Sequence, residues 1–383
     1  MKKLFLTVLV AVLLVAFVAC STTPAASTAP SAAASEAVAS AAAPSAAASE
    51  SSAAPAAKSA DGMKIAFFVS DYTNTFHQAQ GAEAIKYAKE KYNAEVTVMD
   101  GKSDGNVMTQ NVDLLATSDY NGATLHIWEA DAAKPGVLSA IDAGVAMATF
   151  FSPLSDTGIP IVRNDEAGVS FEMGKTAAEQ WKKANPDKPI VMVELGWPDN
   201  NDVITGRTDP FVKGVLSVDP EATDLGCLDA SKGADAAKQI MLDLTTQHPE
   251  VNIIYSEAGN LTDGVMPALI QAGRGTMDNG VPTTEIVCSV DCPESELKLI
   301  YDPNSSLKAS LGLPPIETAH TRIDNVVDIY TGKIPQTSSP AAEILAAAKD
   351  VNFWTISAKD AVDWYNTQFG ASIKVEDIDK SAE

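Results

Sequence analysis

Two regimes of hydrophobic patterning divide the chain. From about residue 63 onward, short apolar runs alternate with stretches whose apolar residues recur every three to four positions. The run 64–69 is a buried-strand pattern, and 78–92 carries Ala79, Ala82, Ile85 and Ala88 at helical spacing. The same reading predicts strands at 95–99, 123–128, 145–151 and 160–162, with helices at 107–116, 132–143 and 169–184. It then restarts, with strands at 190–195, 225–228, 253–256 and 286–290 and helices near 205–217, 234–247, 262–272 and 294–301. Strict alternation of this kind gives parallel sheets covered by helices on both faces. The expected class is α/β, with two doubly wound parallel-sheet lobes. Ligands of such sheets sit beyond the carboxyl ends of the strands, so functional residues are sought there.

The residues before this body read differently. Lys2 and Lys3 precede an apolar run over 4–19, shorter than the roughly 20 residues of a membrane span. That is the pattern of a signal peptide over 1–20. Phe17-Val18-Ala19-Cys20 resembles the lipobox of bacterial lipoproteins, which implies acylation of Cys20 and an extracytoplasmic body anchored to the cell membrane by lipid. Residues 21–60 are almost entirely Ala, Ser, Thr and Pro, with Pro24, Pro30, Pro44 and Pro55 interrupting any helix; a disordered tether is expected.

Charge and composition narrow the function. In 383 residues, 50 acidic side chains oppose 27 basic ones, a formal net charge of −23. Phosphate backbones need clustered Lys and Arg, so nucleic acid is excluded as a partner, and an anionic membrane surface is disfavoured. Four cysteines in a chain of this length exclude a disulfide scaffold. Cys227 and Cys288 fall within strands as core residues, and a Cys288–Cys292 bridge would need an unfavourably sharp turn. The four histidines lack metal spacing. Gly168 to Thr176 approximates a phosphate loop but has five residues between its glycines where that loop needs four. Neither Gly-x-Ser-x-Gly nor His-Glu-x-x-His occurs. No enzyme, cofactor or metal is expected.

What the strand ends do carry suits a polar, ring-shaped ligand. Tyr72, Asn74, Phe76 and His77 follow the first strand; Trp128 and Glu129 follow the third; Phe150 and Phe151 close the fourth; Asp165 follows 160–162. In the second half come Trp197, Asn201, Arg207, Asn260 and Asp291. Aromatic faces stack on a sugar ring, while carboxylates, amides and guanidinium groups pair with its hydroxyls. Each polar residue taken singly is equally readable as a helix cap or surface group, Asn74 and Asp165 above all.

Several segments carry a family resemblance over about 63–365. Lys64-Ile-Ala-Phe-Phe-Val-Ser-Asp-Tyr-Thr-Asn-Thr-Phe-His77 is similar to the opening strand and Asn-x-Phe-aromatic element of type I periplasmic sugar-binding proteins, the ribose, galactose and xylose group that feeds ABC importers. Pro160-Ile-Val-Arg-Asn-Asp-Glu-Ala-Gly168, Thr205-Gly-Arg-Thr-Asp-Pro-Phe-Val-Lys-Gly214, Ile286-Val-Cys-Ser-Val-Asp291 and Phe353-Trp-Thr-Ile-Ser-Ala-Lys-Asp-Ala-Val-Asp363 resemble further family elements. The resemblance implies ligand roles for Asn74, Phe76 and Asp291. The family's Asp-Arg pair after strand four stands here as Phe150-Phe151. It also implies a three-strand hinge, with crossings near 163–167, 312–316 and 336–340. The N-terminal lobe is then 61–164 with 314–337, the C-terminal lobe 165–313 with 338–370, and 371–383 a tail. A monomer that closes on a monosaccharide and docks on an ABC permease follows. A receptor presenting its ligand to a membrane sensor, and a nucleoside or other small polar solute as ligand, stay open as alternatives.

Overall fold

The computed structural model describes residues 58–128 and 130–379. The expected signal peptide, Cys20, the tether up to residue 57 and Glu129 lie outside them. In the first half the chain forms β1 (Lys64–Val69), α1 (Thr75–Tyr92), β2 (Glu95–Asp100), α2 (Gly105–Asp113), β3 (Gly122–Leu125), α3 (Ala130–Asp142), β4 (Ala146–Phe150) and β5 (Ile161–Asn164). There follow α4 (Glu166–Ala184), β6 (Val191–Gly196), α5 (Asn201–Val203), a π-helical turn Ile204–Thr208, α6 (Asp209–Val218), β7 (Thr223–Asp229), α7 (Ala234–Gln247), β8 (Ile253–Ser256) and α8 (Gly259–Gln271). A small hairpin of β9 (Met277–Asp278) and β10 (Val281–Pro282) leads to β11 (Ile286–Val290), α9 (Glu294–Ile300), β12 (Leu307–Gly312) and α10 (Pro315–Tyr330). The chain closes with β13 (Glu343–Ala346), β14 (Lys349–Asn352), α11 (Ala358–Phe369) and α12 (Val375–Ile378).

These strands make two six-stranded sheets, ordered β13-β5-β4-β3-β1-β2 and β14-β12-β11-β8-β6-β7. Every pairing in them is parallel except β12 with β14. The alternating side chains of each strand feed two faces. On the first sheet, Ile65 and Phe67 pack with Ala84, Ile323 and Val326 of α1 and α10, while Ala66 and Phe68 pack with Met108 and Val137 of α2 and α3. On the second, Met192 and Ile253 meet Met173, Trp181 and Phe211 of α4 and α6; Val193 and Leu195 meet Met241, Val265 and Leu269 of α7 and α8. The helices α4 and α6 approach very closely. A Cβ on Gly174 would lie 2.2 Å from the Phe211 carbonyl oxygen, and one on Gly214 would lie 2.1 Å from that of Phe171. The phosphate-loop-like segment is therefore helix α4, and its second glycine serves packing.

The chain passes between sheets three times: from β5 to α4, from β12 to α10, and from β13 to β14. The third passage lies between Ala346 and Lys349, beyond the 336–340 read from the sequence, so 338–346 belongs to the N-terminal lobe. Hydrogen bonds hold it there. Gln336 accepts from Met147 N–H at 2.9 Å and donates to the Met147 carbonyl at 2.7 Å, and Ser338 N–H donates to the Gly158 carbonyl at 2.8 Å. β13 then pairs with β5 in parallel register. The segment Phe353–Asp363 that carries the family resemblance is a turn leading into α11, and the strand before it is β14. Nor is 371–379 a simple tail: Ile378 is buried in the C-terminal core, with Ile373 and Val375 packed against it.

Candidate functional site

The carboxyl ends of both sheets face one crevice. From the N-terminal lobe, β1 and the first turn of α1 supply Phe76 and His77, both buried. His77 shares a 2.7 Å hydrogen bond between Nδ1 and the Asp71 carbonyl. Its ring meets His126, just past β3, edge-on at 5.0 Å, and His126 meets Phe150 edge-on at 4.9 Å. Burial holds the His77 imidazole down at about 4. Burial first, then neighbouring His77 and Arg322, pushes His126 well below its usual value too. Both rings are therefore neutral at pH 7. Behind this wall the Arg322 guanidinium is fully buried between Phe67 and Phe150, 3.8 and 4.6 Å from their ring centres. It donates to the Phe68 carbonyl at 2.7 Å, to Thr124 and to Gln80, with no carboxylate among its hydrogen-bond partners.

Opposite stands a charged wall. The buried Arg207, from the π-helical turn, donates Nε to Glu166 Oε2 at 2.7 Å and Nη1 to the Glu257 carbonyl at 2.7 Å. Burial opposes its charge, yet Glu166 holds the guanidinium above its ordinary value. Its guanidinium also reaches across the crevice to the Phe151 ring, 5.6 Å from the centroid. Phe151 has φ 70°, a left-handed backbone that a bulky residue rarely adopts. Asp291 is likewise left-handed at φ 80°, followed by Cys292 at φ 49°. A hydroxyl network supports this pair: Cys292 N–H donates to Ser310 Oγ at 3.0 Å, and Ser310 Oγ donates to Glu296 at 2.8 Å. Burial raises the Asp291 carboxyl, with Arg207 and the Gly259 N–H opposing.

At the hinge side of the crevice lies a cavity of about 330 Å³. Phe151, Arg163, Asp165, Glu166, Asp202 and Leu345 are among the residues that line it. Arg163 of β5 bridges the lobes there, donating to Asp202 Oδ1 at 3.3 Å. Among the described residues no group of His, Cys, Asp or Glu has metal-holding geometry, and no helix is long and apolar enough to cross a membrane.

A periplasmic binding protein domain model matches residues 65–334. The chain belongs to that family. Such proteins bind solutes outside the cytoplasm and are not enzymes. No curated protein gives a significant sequence match. Among solved structures, the fold matches the 5-methylthioribose transporter solute-binding protein of Thermotoga lettingae, in complex with 5-methylthioribose. The identity is 16%, over 76% of this chain and 86% of that one, with a TM-score of 0.60. A Mycobacterium smegmatis protein in complex with β-D-fucofuranose is 14% identical over 81% and 97%, TM-score 0.64. An Agrobacterium vitis ABC transporter solute-binding protein with bound allitol is 20% identical over 78% and 97%, TM-score 0.62.

Within this binding protein the sequence-derived residues divide. Phe76 adjoins His77 and His77 adjoins His126, Arg207 acts on Asp291, and Asp165 lines the cavity. Asn74 is an exposed helix cap whose Oδ1 accepts from Phe76 N–H at 2.8 Å. Tyr72 does not reach the crevice: its ring fills the seam between α1 and β2, against Gly81 and Val98. Phe150 is core, and Phe151 is the ring turned across the gap. Trp197 packs partly buried on the C-terminal core. Trp128 is 42% exposed, and Asn201 and Asn260 are exposed in the first turns of α5 and α8. Sequence reasoning missed Arg322. Its signal was an arginine on the apolar stripe formed by Ala319, Ile323 and Val326 in 315–330.

Proposed function

We propose that this periplasmic binding protein is the solute-binding lipoprotein of an ABC importer, capturing a sugar or related polyol between its lobes and delivering it to the permease. The observation that carries the reading is the pairing of a buried Arg207–Glu166–Asp291 group on one lobe with Phe76, His126 and Phe151 on the other. Hydroxyls pair with the first set and ring faces stack on the second. The ligands named for the structural neighbours support it. Anchoring through Cys20 would keep the body beside its permease.

Ligand bound to both walls favours lobe contact by its differential affinity for that state. The test is a thermal-shift screen of the purified protein against pentoses, hexoses, polyols and nucleosides. A true ligand at a hundred times its dissociation constant stabilises the fold by about 2.7 kcal/mol. The variant Asp291→Ala is expected to lose that shift while remaining folded. A full shift in the variant places binding elsewhere, and no shift with any compound contradicts the capture of sugars or polyols.

A further inference from the structure

The two walls of the crevice are chemically unequal, and the inequality bears on the ligand's chemistry. On the N-terminal side, the polar groups that follow β1 and close β2 are engaged within the lobe. Asp71 accepts from Thr73 N–H and from the Thr73 and Ser103 hydroxyls. Asp100 accepts from the amides of Tyr72 and Lys102, and Asn74 caps α1. Around His126 the lobe is aromatic, with His77, Phe150 and Phe151 against its ring, while Arg163, Asn164 and Glu343 give the cavity at the hinge side its polar lining. Arg322 lies behind that surface and faces the core, bonded to Thr124, Gln80 and the Phe68 carbonyl. Nδ1 of His126 is buried there without a hydrogen-bond partner, as is Nδ2 of Asn164 beside the cavity. A free hexose or pentose bears hydroxyls around its whole ring, and those facing such a wall would lose their water without replacement, at about 1–3 kcal/mol each.

We propose, building on the capture reading above, that the ligand is a pentose bearing an apolar or aromatic substituent. The substituent seats on the aromatic wall of the N-terminal lobe, and the hydroxyls turn to Asp291 and Glu166. A planar substituent enters between Phe151 and Arg207, exchanging their mutual contact for stacking on both. A ring heteroatom there meets the unpaired imidazole nitrogen of His126. The cavity beside Phe151 is bounded by a second apolar side chain, Leu345, as well as by Arg163, Asp165, Glu166 and Asp202. Its volume of about 330 Å³ falls at the lower end of the roughly 300–1,000 Å³ of small-molecule sites.

Titration calorimetry on the purified protein tests this with adenosine, uridine and 5-methylthioribose against ribose, galactose and allitol. At least one substituted pentose is expected to bind ten times more tightly than any unsubstituted compound. Phe151→Asn keeps a residue that tolerates the left-handed backbone and is expected to weaken the substituted ligand at least tenfold while changing any binding of unsubstituted compounds less. Asp291→Ala weakens both classes. If ribose, galactose or allitol binds as tightly as the substituted pentoses, or Phe151→Asn affects both classes equally, this inference falls and the capture reading stands. If none of the six compounds binds, both fall.

Discussion

Buried ionisable side chains give individual residues opposite demands on pH. Burial holds His77 down at about 4, against about 6.5 when unfolded. The unfolded chain therefore binds the extra proton first, and the native state loses stability as pH falls from about 6.5 to about 4. The loss is on the order of 3 kcal/mol. Glu296 is the reverse case: burial raises its carboxyl to about 8, with Ser289 and Ser310 opposing. Its contribution is complete below the unfolded value near 4.5 and fades as pH rises toward 8. Urea midpoints measured from pH 4 to 8 are expected to show both limbs. His77→Asn should flatten the acid limb alone and Glu296→Gln the alkaline limb alone. Slopes equal to those of the parent protein in both variants would mean that neither group titrates as its burial requires.

Among the elements, one tight constraint is the seam between α4 and α6. Gly174 and Gly214 let each helix rest on the other's backbone, so added volume must push them apart. Gly174→Val is expected to cost about 1–3 kcal/mol, read as a lower urea midpoint; an unchanged midpoint would show that the seam yields freely. The legibility of the elements follows from how purely hydrophobic their pattern is. From β1 to α9 the apolar runs announce themselves, because strands such as Ile65 to Val69 are buried on both faces. Beyond residue 301 the signal is diluted. β12 places Lys308 and Ser310 at buried positions, since Lys308 Nζ donates to the Ile300 carbonyl and Ser310 joins Glu296. β13 leaves Glu343 and Leu345 exposed at a sheet edge. The site was legible in the same uneven way. Asp291 and Arg207 could be placed from their motifs, whereas Tyr72 faces a seam that only the register of β1 with β2 reveals.

At the scale of the molecule, three chain passages join two sheets whose carboxyl ends share one crevice, and contacts such as Arg163 with Asp202 and Arg207 with Phe151 join the lobes across it. The Arg163–Asp202 pair is partly exposed, and exposed ion pairs contribute about 0–1 kcal/mol. Driving a mostly open population to a mostly closed one needs on the order of 5 kcal/mol, which a ligand bonded to both walls supplies. Small-angle X-ray scattering of the purified protein, free and with the compound giving the largest thermal shift, reads this directly. The radius of gyration is expected to fall on saturation, to the curve calculated for the lobes in contact as described here. Superimposable curves with and without saturating ligand would contradict capture by lobe closure.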